Sequence, residues 1–355
     1  MTTLAQQELT RVTVGVDTHK DVHVAVALDH FGRRLGSITV DTTAAGLRKL
    51  LRWGDELGEL EAFGLEGTGC YGAGLARFLG SRGYLVVEVM RPNRQTRRRR
   101  GKSDLTDAEA AARAVLSGEA NAVPKAGDDR VEMIRALRVA RCTAMRARTQ
   151  AINALRALII TAPPPLRDQV GGLSAPQLVE TCARLRPGDV ASPLAATKLA
   201  LRSLACRYQS LDAEVDGLDG ELKRLTADAA PALQEVFGVG AEVASTLLCT
   251  AGDNPDRLRS EAAFARLCGV SPIEASSGKT VRHRLNRGGD RQANAALYRV
   301  VLVRLRWHQP TRDYVERRTK EGKSKSEIIR CLKRYVAREV FAVLKDTGQK
   351  NLAAA

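Results

Sequence analysis

Residues 12 to 89 carry three apolar period-two runs joined by short turns, then helix-like and strand-like stretches in alternation, and few topologies accommodate that order. Strands are expected at 12 to 17, 22 to 28 and 36 to 40, a helix near 43 to 57, a strand at 60 to 65, a helix near 72 to 81 and a strand at 84 to 89. Short turns among the first three strands imply antiparallel hairpins. The later crossovers through helices imply parallel pairing. The expected result is an α/β domain built on one mixed sheet.

Acidic residues sit where this chain changes direction. Asp17 closes VTVGVD, Glu66 closes LEAFGLE, and Asp104 and Asp107 open a helix in KSDLTDAE. Three antiparallel strands followed by α-β-α-β-α is the order of the ribonuclease H-like fold, in which carboxylates from the first strand, the fourth strand and the last helix meet. Carboxylates gathered in this way repel one another. A hard divalent cation, Mg²⁺ or Mn²⁺, relieves that repulsion and binds substrate phosphate oxygens as well. One or two such ions activate a scissile phosphate.

Two other readings compete for these segments. Ser103 or Thr106 is suited to cap the helix, and Thr106 to Glu109 is close to a capping box, so Asp107 also suits the helix dipole without any metal. Gly67-Thr-Gly69-Cys-Tyr-Gly72, with Glu88 twenty-one residues after Gly67, nominally satisfies a dinucleotide-binding fingerprint. The second reading is outweighed, because Glu66 would stand at the mouth of the pyrophosphate site and repel it. It also leaves Asp17 and the aspartate pair unexplained.

Charge bears on partners. The 355 residues hold 56 Lys and Arg against 40 Asp and Glu, a net +16 with pI near 9.9, and the stretch from Lys279 to Lys350 has 20 of the former and 7 of the latter. A polyanion is the expected partner. Arg91, Arg94 and the run Arg97, Arg98, Arg99, Arg100, with Lys102, lie just before the aspartate pair, where a phosphate backbone can pass between cations and acids. No apolar run approaches the ~20 residues that span a bilayer, and the N-terminus lacks a signal-peptide core, so a cytoplasmic protein without a membrane partner is expected. Seven cysteines, no two closer than nineteen positions, exclude zinc knuckles and read as reduced thiols.

Beyond the α/β segment the chain reads as helical. One long helix is expected from 128 to 160, then a loop with one short helix up to Pro193. A second helix follows with an unbroken 3-4-3-4 seam of Leu201, Leu204, Tyr208, Leu211, Val215, Leu218, Leu222 and Leu225, which seeks either the 128 to 160 helix or the same helix of another subunit. LQEVFGVGAEVASTLL, with Gly238 and Gly240 at the turn, resembles a helix-hairpin-helix that grips phosphate, although glycine at a tight helix turn is also a structural necessity. In the last third, Ser276-Ser277-Gly278-Lys279 is followed by Arg282, His283, Arg284, Arg287 and Arg291. A hydroxyl among cations is a plausible nucleophile toward phosphorus; the same residues also make an ordinary flexible turn.

Taken together, VGVDTHKDVHVAV, EGTGCYG, RPNRQTRRRRGKSDLTDAEAAARAV, FGVGAEVASTLL and GVSPIEASSGKTVRHRLNRGGDRQAN resemble the DEDD-type insertion-sequence transposases, also called bridge recombinases, nearly from end to end. The resemblance implies a RuvC-like catalytic domain over 1–125, a helical coiled-coil and oligomerisation region over 126–228, and a mainly helical transposase domain over 229–355. It implies that Asp17, Glu66, Asp104 and Asp107 are the metal-binding tetrad. It also makes the serine before Gly278, Ser277, the nucleophile that forms a covalent phosphoserine with DNA, with Ser276 open as the alternative. Members are guided by a structured non-coding RNA that pairs with donor and target DNA. They act as homo-oligomers in which one subunit's tetrad serves another's serine, which implies a prokaryotic, nucleoid-associated protein, dimeric or tetrameric. Lys279, Arg282, Arg284, Arg287 and Arg291 then join the arginine run as nucleic-acid contacts, although RGGDR departs from the family's basic-Gly-Asn pattern. The rival enzyme is a RuvC-like nuclease that cuts branched DNA by attack of water.

Overall fold

A computed structural model describes residues 10–90, 103–127, 129–254, 257–280 and 283–354. The chain divides into two compact units, one comprising residues 1–129, 250–267 and 344–355, the other 130–249 and 268–343.

The first unit is built on a five-stranded sheet: β1 (Arg11–Thr18), β2 (Val22–Asp29), β3 (Arg34–Asp41), β4 (Glu59–Glu66) and β5 (Leu85–Val89). The spatial order is β3-β2-β1-β4-β5. The first three strands pair antiparallel, and β1–β4 and β4–β5 pair parallel, as the turn and crossover lengths require. Helices α1 (Ala44–Asp55) and α2 (Ala73–Gly80) precede β4 and β5, and α3 (Asp104–Leu116) follows the sheet.

Strand alternation gives the sheet two faces. Val12, Val14 and Val16 of β1, Ala25 and Ala27 of β2, and Phe63 and Leu65 of β4 join Leu47, Leu50, Leu75 and Leu79 in one buried cluster. The opposite set on β1 and β4 includes Gly15, Asp17, Gly64 and Glu66, and this face is covered by α3. Val26 and Leu28 of β2 pack there against Ala108 and Ala112.

The two glycines decide how closely that helix can approach. Gly15 and Gly64 are register partners on adjacent strands. A Cβ on Gly15 would stand 2.1 Å from the Ala108 carbonyl oxygen and 2.3 Å from the Ala112 nitrogen, and one on Gly64 would stand 2.9 Å from the Ala111 carbonyl oxygen. Small residues on both surfaces therefore bring the α3 backbone onto the sheet. Its first turn arrives beside the strand ends. Replacing Gly15 by Ala should cost about 3 kcal/mol or more, because backbone atoms bound the position and cannot rotate away. The urea midpoint of the variant against wild type measures this; an unchanged midpoint would mean that α3 does not lie on β1.

The second unit is helical apart from one hairpin. Its longest pair is α4 (Arg130–Ile160) with α7 (Pro193–Ala229), packed side by side. Arg141 pairs with Asp219 and Arg148 with Asp212, while Arg130 donates to the Asp228 carbonyl, so partner numbers fall as α4 advances and the two helices run antiparallel. Every residue of the expected seam is buried or half-buried, and its first part joins a cluster with Leu155 and Ile159 of α4. Thus the partner helix within this chain is α4. Arg138, buried, is satisfied by the Glu242 carbonyl at 3.2 Å, its carboxylate at 3.1 Å and Ser245 Oγ at 2.7 Å.

The segment up to Pro193 holds two short helices where one was expected, α5 (Pro164–Val170) and α6 (Ala175–Ala183). Proline lies in the first turn of each, where its missing N–H costs nothing. In chain order there follow α8 (Pro231–Glu235), α9 (Ala241–Ala251) and α10 (Glu261–Leu267), the short strands β6 (Ile273–Glu274) and β7 (His283–Arg284), then α11 (Arg291–Trp307), α12 (Gln309–Lys320) and α13 (Lys325–Ala354); α10 and the last residues of α9 and α13 belong to the first unit. Gly238, in the turn between α8 and α9, has φ +85°. Among the described residues no helix is long and apolar enough to cross a membrane.

Candidate active site

Val16 lies opposite Leu65 in the parallel β1–β4 pair, so Asp17 and Glu66 come next on adjacent strands and share the α3 face. Both are buried. Thr18 Oγ1 donates to the Glu66 carbonyl at 2.8 Å and ties the two strand ends together. On α3, Ser103 is the N-cap, accepting from the Thr106 amide at 3.2 Å. The helix therefore begins at Asp104 and puts Asp104 and Asp107 three apart in its first turn, with Asp107 buried and Asp104 half exposed. Glu109 does not complete a capping box with Thr106; it pairs with Arg113 at 2.7 Å.

One residue here was not anticipated. His19 Nε2 lies 3.3 Å from Asp17 Oδ2 and 3.4 Å from Asp104 Oδ2. Ligand atoms of Asp17, His19 and Asp104 all fall within 4.8 Å of one another, spacing at which one cation can be shared. The Nε2 atom is buried without an aligned hydrogen bond to a protein acceptor. An oxygen-rich donor set with a buried nitrogen short of a partner fits a divalent metal. The signal was present in VGVDTHK, because alternate residues at a strand end point the same way. Behind it, burial, and secondly the charge of His19, hold the buried His23 imidazole below the ordinary histidine range despite an opposing backbone hydrogen bond at Val22.

The glycine-rich turn after β4 turns part of its backbone on itself. Gly67, at φ +64°, accepts from the Cys70 amide at 2.9 Å and the Gly72 amide at 3.1 Å. Those two N–H groups are engaged within the turn, which removes them as donors to a pyrophosphate.

The serine segment belongs to the second unit and forms a β-hairpin. Ile273 pairs with Arg284, Glu274 with His283, and Ser277 with Thr280, one constant register closed by the two-residue turn Gly278-Lys279. Gly278 has φ +54°, the left-handed conformation that this turn needs at its first central position. Ser276 and Ser277 are both exposed, with Ser277 alone of the two in the paired ladder described. Asn294 binds the chain that leads into the hairpin. Its Nδ2 donates to the Cys268 and Gly269 carbonyls at 3.1 and 3.0 Å, and its Oδ1 accepts from Lys333 Nζ at 2.8 Å. Cys268 is buried, and burial pushes its thiol up to about 12, so it is a packed group and not a nucleophile. Asp290, the departure from the family pattern, caps α11 by accepting from Gln292 and Ala293 amides. Lys279, Arg284, Arg287 and Arg291 are exposed along the hairpin and the helix start. Arg94, Arg97, Arg98, Arg99, Arg100, Lys102 and Arg282 lie outside the described residues.

A mixed sheet in the order β3-β2-β1-β4-β5, with acids at the ends of its two central strands and on the covering helix, matches the ribonuclease H-like class. A family model described as "Transposase" matches residues 14–163, and a second, "Transposase IS116/IS110/IS902 family", matches residues 230–316. The chain belongs to this IS110-type transposase family. It is also similar to the "Insertion element IS110 uncharacterized 43.6 kDa protein" of Streptomyces coelicolor, 30% identical over 117 residues, a stretch that covers 33% of this chain and 29% of that protein.

Proposed function

We propose that this protein is the DNA transposase/recombinase of an insertion sequence, cleaving and rejoining strands through a covalent phosphoserine. The observation that carries the reading is the placement of Asp17 and Glu66 side by side at the ends of β1 and β4, on the face covered by α3, whose first turn carries Asp104 and Asp107 and brings Asp104 within ligand spacing of Asp17, inside the span matched by the first family model. Those carboxylates would hold Mg²⁺ or Mn²⁺, which supplies charge neutralisation at the scissile phosphate. Ser277 Oγ forms a bond to phosphorus as the phosphorus–deoxyribose oxygen bond breaks, with a net proton passing from the serine to the leaving oxygen. Phosphodiester bond energy is kept in the adduct, so the reverse attack by a new strand end rejoins DNA without ATP. The exposed cations Lys279, Arg284, Arg287 and Arg291 surround the hairpin with charge suited to a phosphate backbone.

The rest of the scheme follows from the same family reading. A structured guide RNA selects donor and target DNA. The protein works as a homo-oligomer, dimer or tetramer, with 126–228 as the coiled-coil oligomerisation region between catalytic domain 1–125 and transposase domain 229–355. The Gly238 turn between α8 and α9 serves as a helix-hairpin-helix-like phosphate grip. The site of action is the prokaryotic cytoplasm, at the nucleoid.

The test is to express the protein with its native flanking DNA, incubate it with labelled junction DNA and Mg²⁺, and quench in SDS. Label retained on protein supports the phosphoserine route. Cleaved DNA free of protein points instead to a RuvC-like nuclease that uses water, and loss of metal dependence would count against both.

A further inference from the structure

We infer that His19 is a nitrogen ligand of the metal site, and that it makes this site favour Mn²⁺ over Mg²⁺. The inference rests on the metal-binding reading of the acidic group and goes beyond it, since the four acids alone define an all-oxygen site.

The geometry is local and backbone-set. His19 follows β1 directly, and its amide donates to the Val22 carbonyl at 3.1 Å, which closes the tight turn into β2. Asp17 and His19, two apart at the strand end, present their side chains together. The ring then reaches across to α3, so that Nε2 is 3.3 Å from one carboxylate and 3.4 Å from the other. A histidine whose task was to bridge two aspartates would align its N–H with one of them. Nε2 is buried and aligned with neither. Three donor atoms within 4.8 Å of one another, two oxygens and one nitrogen, have the spacing of a ligand set.

The choice of metal follows from donor chemistry. Mg²⁺ is small and hard, keeps its waters and favours oxygen, so an imidazole adds little to its binding. Affinity for nitrogen-containing sites rises along the first-row series from Mn²⁺ upward, and Mn²⁺ accepts both carboxylate and imidazole. A site of Asp17, His19 and Asp104 with the neighbouring acids therefore separates two ions that an all-carboxylate site treats nearly alike.

The experiment uses the full chain with Mn²⁺ as the probe and needs no DNA or turnover. Mn²⁺ affinity is measured by calorimetry and by the loss of the free-ion electron paramagnetic resonance signal; nitrogen ligation is read from ¹⁴N modulation of the electron spin echo. Wild type should bind Mn²⁺ with clear ¹⁴N modulation. His19→Ala and His19→Gln should lose that modulation and bind Mn²⁺ about tenfold more weakly, the scale expected when one donor of several is removed, with Mg²⁺ affinity changed by less than about twofold. His19 is 41% exposed, so its truncation opens no core cavity, and circular dichroism of both variants checks the fold. Mn²⁺ binding that depends on Asp17 yet gives no ¹⁴N modulation, or modulation that survives in both variants, overturns the His19 assignment and leaves the acidic metal site standing. Absence of Asp17-dependent binding of either ion overturns both.

Discussion

Asp17→Asn should lower metal-dependent strand cleavage by at least about 10³-fold, equivalent to roughly 4 kcal/mol of transition-state stabilisation, while leaving the protein as stable as wild type or slightly more so. The two signs arise from one cause. Asp17 is buried at the end of β1 beside Glu66, with Asp104 brought near by α3. Without metal, ionised carboxylates in this space repel, and an amide in place of one removes charge without changing shape. With metal and substrate, the same amide removes a ligand where positive charge must be concentrated. Asp107→Asn is the sharper comparison, because Asp107 also lies in the first turn of α3, where a negative charge favours the helix by about 0.3–1 kcal/mol. A capping role predicts a lower melting temperature with activity intact; a ligand role predicts the reverse. Ser103→Ala supplies the control, since the actual N-cap should cost about 1 kcal/mol of stability and little metal affinity. Cleavage rates and thermal melts of these three variants separate the two roles. A metal-dependent rate in Asp17→Asn within tenfold of wild type would remove Asp17 from the site.

Much of this arrangement was legible in the sequence because strands impose parity. VTVGVD places three valines on one face, and Asp17 on the other together with Gly15, so the core and the site could be read from a single segment. The sense of strand pairing followed from loop lengths. Parity also contained His19, two residues after Asp17, but its partner Asp104 is distant in sequence, and only the close seating of α3 on Gly15 and Gly64 brings it near. Prolines misled in the opposite direction. The segment up to Pro193 reads as a loop with one short helix, whereas proline at the start of α5 and of α6 is compatible with helix, so one expected helix became two. The seam of α7 was read correctly as a packing face, while the choice of partner needed the opposed ion pairs Arg141–Asp219 and Arg148–Asp212. The serine hairpin was visible only as a turn. Its paired strands are two residues each, too short for alternation to register.

Ser277→Ala should abolish the SDS-resistant protein–DNA adduct and reduce strand exchange by at least about 10⁴-fold, with nucleic-acid affinity within about twofold of wild type. The structural argument for so clean a separation is the hairpin itself. Ser277 and Thr280 exchange backbone hydrogen bonds at 3.1 Å in each direction, and neither bond involves the hydroxyl. The turn conformation is supplied by Gly278, and the strands are held by the backbone pairs Ile273–Arg284 and Glu274–His283. Alanine keeps all of these and deletes only the oxygen. The cations that would hold DNA are on other residues, so binding survives while chemistry stops. Ser276→Ala is the matched comparison, one position away in the same exposed turn, and should retain the adduct if Ser277 is the nucleophile. Loss of the adduct in Ser276→Ala with retention in Ser277→Ala would move the assignment by one position. No nearby thiol can substitute, because buried Cys268 stays protonated across the working range. An adduct that persists in both variants therefore eliminates the serine step. Cleavage without any adduct in wild type leaves attack by water at the acidic site as the remaining chemistry for this fold.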